Sequence, residues 1–158
     1  ATDENFVISD FDSKIEESFF LDTPFNVGSV NTKTFVLMLA NQNPRSFISG
    51  ANVRLGDVLK SVNRNEFHHI FPKKHLERKG VDKKKINCLV NFCFLNNADN
   101  QKIKDKDPAV YKALLPAQSV GNILASACCP SDSLDVDFDS FLKGRTKMLV
   151  TIAHDLTS

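Results

Sequence analysis

Glu66-Phe67-His68-His69-Ile70-Phe71-Pro72 is a short β-prone run that carries two adjacent histidines and is stopped by a proline. Further on, Ile86-Asn87-Cys88-Leu89-Val90-Asn91-Phe92-Cys93-Phe94-Leu95 gives a second run of apolar, β-branched and aromatic residues. Such a run predicts a second strand. Asn96-Asn97-Ala98-Asp99-Asn100-Gln101-Lys102 comes next, with Asn at a cap position and Asp in the first turn, as at the start of a helix. The order is strand, loop, strand, helix. It can bring an imidazole and a metal-binding amide to one small site beside a helix N-terminus, where a phosphate is welcome. Three of the four histidines in the chain (His68, His69 and His75) fall in this stretch.

His68-His69-Ile70-Phe71-Pro72, followed by Asn91 and Asn100, resembles the signature of the HNH (ββα-metal) endonucleases. More narrowly, HHIFPKKHL with INCLVNFCFLNNADNQKIKDKDP is similar to the C-terminal nuclease domain of modification-dependent restriction proteins of the GmrSD kind. The matching stretch, Glu66 to Pro108, covers about a quarter of the chain. The resemblance implies an α+β, mostly helical fold in which a ββα-metal unit is supported by surrounding helices. It also implies a metal-dependent endonuclease that nicks or cleaves DNA in restriction of foreign or modified DNA, a defence against phage.

Hydrolysing a phosphodiester requires an activated water and a means of absorbing negative charge on the phosphate and the leaving oxygen. Near neutral pH an unprotonated imidazole can take a proton from water, and the resemblance gives that part to His69. It makes Asn91 the residue that ties the connecting loop in place and orients the base, and His68 and Asn100 the ligands of one divalent ion. In related enzymes the place of His68 more often holds Asp or Glu. Imidazole brings no negative charge and suits softer ions than Mg²⁺. The expected cofactor is Mg²⁺ or Mn²⁺, with Zn²⁺ and Ni²⁺ open. Lys73, Lys74, Lys102 and Lys104 are candidate nucleic-acid contacts. Glu66, two residues from His68 and so on the same strand face, is placed to assist it. His75 lies outside the motif and is expected at the surface or facing DNA.

At 158 residues the chain is expected to form a single domain with a core of its own. Residues 1–62 are read as helical support, 63–108 as the motif and 109–158 as C-terminal helices. The content of 42% hydrophobic and 25% charged residues is that of an ordinary globular protein. No apolar run is long enough to span a membrane and no leading signal-peptide pattern is present. A cytoplasmic location without membrane contact is therefore expected. The chain opens on Ala1-Thr2-Asp3-Glu4, which predicts the C-terminal fragment of a longer protein. By resemblance, its partners are double-stranded DNA and an N-terminal, modification-sensing, nucleotide-hydrolysing domain.

The net charge of +1 hides an asymmetry. Arg64 to Lys106 holds 11 Lys and Arg against 5 Asp and Glu, and the remainder holds 9 against 14. The basic block coincides with the motif, as an electrostatic footprint for a polyphosphate should. Charge runs such as Lys83-Lys84-Lys85 are also common on solvated surfaces. Cys88, Cys93, Cys128 and Cys129 have no zinc-site spacing and read as buried, reduced thiols.

Elsewhere, 14–21 predicts a short helix with Ile15, Phe19 and Leu21 facing inward, and Phe35 to Ala40 a buried helix ending by Asn43-Pro44. Leu55, Val58 and Leu59 suggest another short element. Lys74 to Lys79 forms a turn closed by Gly80. Pro108 can start a helix over Ala109 to Leu115, with further helices over Val120 to Ala127 and Phe138 to Leu156. Residues 130–137 read as an acidic loop.

Two other functional classes stay open at this stage. One is a catalytically inactive nucleic-acid-binding module with an HNH-like fold. The other is a structural zinc domain using His68, His69, His75 and a cysteine, although adjacent strand residues should point to opposite faces.

Overall fold

A computed structural model describes residues 17–53, 57, 60 and 66–157 of the chain. Strand β1, Phe67–His69, pairs antiparallel with β2, Phe92–Phe94, in the register Phe67↔Phe94, His68↔Cys93 and His69↔Phe92. Backbone bonds continue the ladder past both ends. Leu95 N–H donates to the Glu66 carbonyl at 3.0 Å, and Ile70 N–H to the Asn91 carbonyl at 2.7 Å. The strand period of two puts Phe67, His69, Phe92 and Phe94 on one face. Phe25 lies on that face, stacked on Phe92 with ring centroids 4.3 Å apart.

The rest of the described chain is mostly helical, so the fold is α+β. Helix α1 is Val30–Ala40, α2 Lys73–Arg78, α3 Lys83–Ile86 and α4 Asn97–Ile103. They are followed by α5 Pro108–Tyr111, α6 Val120–Ser126 and α7 Phe138–Thr157. Local chemistry sets several of these boundaries. Ser29 caps α1 by accepting from Thr32 N–H at 3.1 Å, which satisfies a donor the helix itself leaves unpaired. Gly80 leaves α2 at φ +74°, a conformation that a side chain would strain. Pro108 opens α5, where its missing N–H costs nothing, and Asp107 caps the same turn through Ala109 N–H at 2.9 Å.

The core joins these elements through Phe35, Phe47, Leu89, Val90, Ile123, Leu124 and Leu149, all fully buried. Each large apolar side chain so buried contributes about 1.5–3 kcal/mol relative to exposure. Arg145 of α7 is buried as well. Its Nη1 donates to the carbonyls of Val90 and Phe92, both at 2.6 Å, and its Nη2 to that of Ala127 at 2.8 Å. The long C-terminal helix is thereby pinned to the entry of β2. All four cysteines are buried free thiols, and burial raises the Cys93 thiol far above its ordinary value and pushes Cys128 up to about 12.

Two expectations change. The apolar run over residues 86–95 is not one strand, since only Phe92–Phe94 pairs and Leu89–Asn91 is a 3₁₀ turn. Its apolarity reflects burial of every residue from Cys88 to Leu95, not strand pairing. Residues 17–22 are helical, but the inward side chain is Phe20, with Phe19 half-buried and Leu21 exposed. Ile15, Leu55, Val58 and Leu59 lie outside the described residues. Among the described residues no helix is long and apolar enough to cross a membrane.

Candidate active site

The chain leaves β1 through two residues whose backbone groups are all engaged. Ile70 N–H goes to the Asn91 carbonyl, and the Ile70 carbonyl accepts from the buried Tyr111 hydroxyl at 2.7 Å. Phe71 N–H donates to Asn91 Oδ1 at 2.9 Å, and its carbonyl accepts from Asn91 Nδ2 at 3.1 Å. The same Nδ2 donates to the Ile86 carbonyl at 2.9 Å. Asn91 is fully buried, and each polar atom of its amide is satisfied, as a buried amide requires. It ties the exit of β1 to the end of α3.

This exit carries the two histidines. His69 lies with its ring centroid 4.3 Å from that of Phe92, and its Nε2 is 2.9 Å from Asn87 Oδ1. His68 Nε2 is 3.2 Å from Asn97 Oδ1. A carbonyl oxygen only accepts, so each Nε2 is the protonated nitrogen and each Nδ1 keeps its lone pair. Burial lowers the pKa of His69, with the Asn87 bond opposing it and Lys73 adding to it. Burial also lowers His68, against the Asn97 bond and the charge of Glu66. Both rings are therefore neutral near pH 7, the state needed of a base or a ligand.

The two rings border one cleft of about 510 Å³ together with Pro72, Lys73, Lys74, Asn100, Gln101, Lys104 and Asp105. The pleat of β1 starts them on opposite faces. His69 ends the strand, however, and the bend at Ile70 leaves both on the rim of the same hollow.

No family model, curated protein or solved structure matches this chain. The cleft has to be read from its own chemistry.

Helix α4 supplies the opposite wall. Asn96 caps it by accepting from Asp99 N–H at 2.8 Å, and Asp99 anchors it from below. Asp99 Oδ2 accepts from Ser46 Oγ at 2.5 Å, from the backbone N–H groups of Ile48 and Ser49 at 3.0 and 2.9 Å, and from Ser49 Oγ at 3.0 Å. Burial alone would raise this carboxyl. The hydrogen bonds from Ser46, Ser49 and Ile48 outweigh that and hold it below its ordinary value. The loop over residues 46–49 therefore fixes the first turn of α4, and with it Asn100.

The uncharged groups on this cleft that could hold a cation are an imidazole, His68, and an amide, Asn100. The carboxylate among the lining residues, Asp105, is bound to Arg78 at 2.7 Å. Among the described residues no three His, Cys, Asp or Glu side chains converge. Such a set fits a divalent ion that accepts neutral nitrogen and oxygen donors and keeps water or phosphate oxygens on its other positions.

Lys102 is not part of the cleft lining, whereas Lys73, Lys74 and Lys104 are. His75 is buried, contrary to its expected surface position. It sits in a second hollow with Phe71, Phe138 and Asp107, its Nε2 3.6 Å from Asp107 Oδ2. Sequence reasoning missed Asn87 and Asn97, the partners of the two histidines. For Asn87 there was a signal, an amide four residues before Asn91 in an otherwise apolar run.

Proposed function

We propose that the chain is a metal-dependent DNA endonuclease in which β1, β2 and α4 form the ββα-metal unit. The observation that carries the reading is the convergence of His68, His69 and Asn100 on one cleft edged by Lys73, Lys74 and Lys104. His69, neutral and carrying its lone pair on Nδ1, takes the proton from the attacking water. Lys73, Lys74 and Lys104 hold the phosphate backbone, which positions the substrate without reading its sequence. His68 and Asn100 are the donors assigned to one divalent ion, whose chemistry when bound is to neutralise charge building on the phosphate and the leaving oxygen.

The resemblance to modification-dependent restriction proteins supports double-stranded DNA as substrate and a separate modification-sensing domain as partner. It also supports a cytoplasmic role in defence. Incubation with supercoiled plasmid and Mg²⁺, Mn²⁺, Ni²⁺ or no metal tests the reading. Nicking only with metal is the expected result. Band shifts without nicking under every metal would sink the enzyme and leave an inactive binding module.

A further inference from the structure

We infer that Asn87 is the positioning residue of this site, fixing which nitrogen of His69 carries the proton and where the ring points. The inference rests on the nuclease reading only for its kinetic consequence. His69 is held on one side by Phe92 and at Nε2 by Asn87 Oδ1. A neutral imidazole has one donor and one acceptor nitrogen, and an oxygen partner at Nε2 leaves the lone pair on Nδ1.

Asn87 can do this because its own backbone is held from two sides. Its carbonyl accepts from Phe25 N–H at 2.8 Å, and its N–H donates to the Lys83 carbonyl at 3.0 Å. Asn91 then sets the separation of the pair. Its Nδ2 bonds the carbonyls of Phe71, two residues after His69, and of Ile86, the residue before Asn87. One amide clamps the two segments and the other makes the contact. Asn91 thus acts on the base through Asn87 and not by touching it. The side chain of Asn87 makes no other hydrogen bond among the described residues, so removing it takes away the contact and leaves the backbone bonds in place.

The test uses ¹⁵N-labelled protein and plasmid kinetics together. A hydrogen-bonded Nε2–H exchanges slowly enough to give a direct imidazole N–H signal. Wild type and Asn87→Asp, which keeps an oxygen acceptor, should show that signal for His69. Asn87→Ala should lose it and fall by about 10²-fold in kcat with KM for plasmid little changed. Asn87→Asp should recover most of that loss. Persistence of the His69 N–H signal in Asn87→Ala, or wild-type kcat in that variant, overturns the inference. If no protein nicks DNA but the signal still depends on Asn87, the nuclease reading fails while the positioning of His69 stands.

Discussion

Arg78 grips Asp105 twice, with Nη1 on the carboxylate at 2.7 Å and Nη2 on the backbone carbonyl at 3.1 Å. Asp105 is the third residue of a tight turn from Ile103 to Lys106, closed by Lys106 N–H on the Ile103 carbonyl at 3.2 Å. Its second residue is Lys104, at φ 53° and ψ −122°. That is the glycine position of a type II′ turn. A lysine is therefore held in strained backbone on the rim of the cleft. Strain of this kind persists where surrounding contacts enforce it, and it gathers at functional sites.

Lys104→Gly should therefore act in two directions. Relief of the strained φ, less the added flexibility of the unfolded chain, gives a gain of about 1 kcal/mol in urea unfolding. Loss of the cleft cation should weaken DNA binding and reduce the slope of log K against log salt by about 0.9. A variant with unchanged salt slope would remove Lys104 from the DNA footprint.

His69→Ala should lower nicking by about 10²–10⁴-fold, the usual cost of losing a general base, with the fold retained. In the wild type, burial holds His69 below 6.5. Activity should rise with pH through a value under 6.5 and reach its plateau by neutrality. Wild-type nicking by pure His69→Ala protein would exclude His69 as the base.

For the ion, His68→Ala and Asn100→Ala should each raise the Mn²⁺ concentration for half-maximal nicking by at least about tenfold. Calorimetric titration of Mn²⁺ without DNA should weaken in parallel. His68→Asp replaces a neutral nitrogen with a hard, charged oxygen and should shift preference toward Mg²⁺. Unchanged titrations in both alanine variants would place the ion elsewhere.

Local chemistry was legible in the sequence where one residue decides the outcome. The Asn96 cap, the Gly80 exit and the Pro108 start need no tertiary information, and all three are where their chemistry puts them. The run from Ile86 to Leu95 was misleading because burial and strand pairing select the same residue types. What breaks the strand is Asn91, whose amide takes the place of a backbone partner for Phe71 and Ile86. The order strand, strand, helix and the spacing of His68, His69 and Asn100 set which side chains share the cleft. Which groups they bond was beyond reach, since the pairing of His69 with Asn87, of His68 with Asn97 and of Arg78 with Asp105 spans 18 to 29 residues. The role of Arg145 was not legible either, since its three carbonyl acceptors come from two distant segments.

The last prediction concerns Asp99, which supports the wall carrying Asn100. Four donors converge on one buried oxygen, and hydrogen bonds to a charged group are worth more than neutral ones. Asp99→Ala leaves several of those donors unpaired and should cost roughly 3 kcal/mol. Asp99→Asn keeps the shape but removes the charge. The folded carboxyl is held below its unfolded value of 3.8. Its contribution is whole above 3.8 and is lost as pH falls through the lower folded value. Urea unfolding across a pH series should show wild type more stable than Asp99→Asn at neutral pH, with the gap closing only in that acid window. The two variants should also need more Mn²⁺ for nicking, because α4 is no longer fixed to the loop over residues 46–49. A stability gap that stays constant through the acid range would mean that the carboxylate charge contributes nothing to holding α4. Unchanged metal dependence would show that Asn100 is fixed by other contacts.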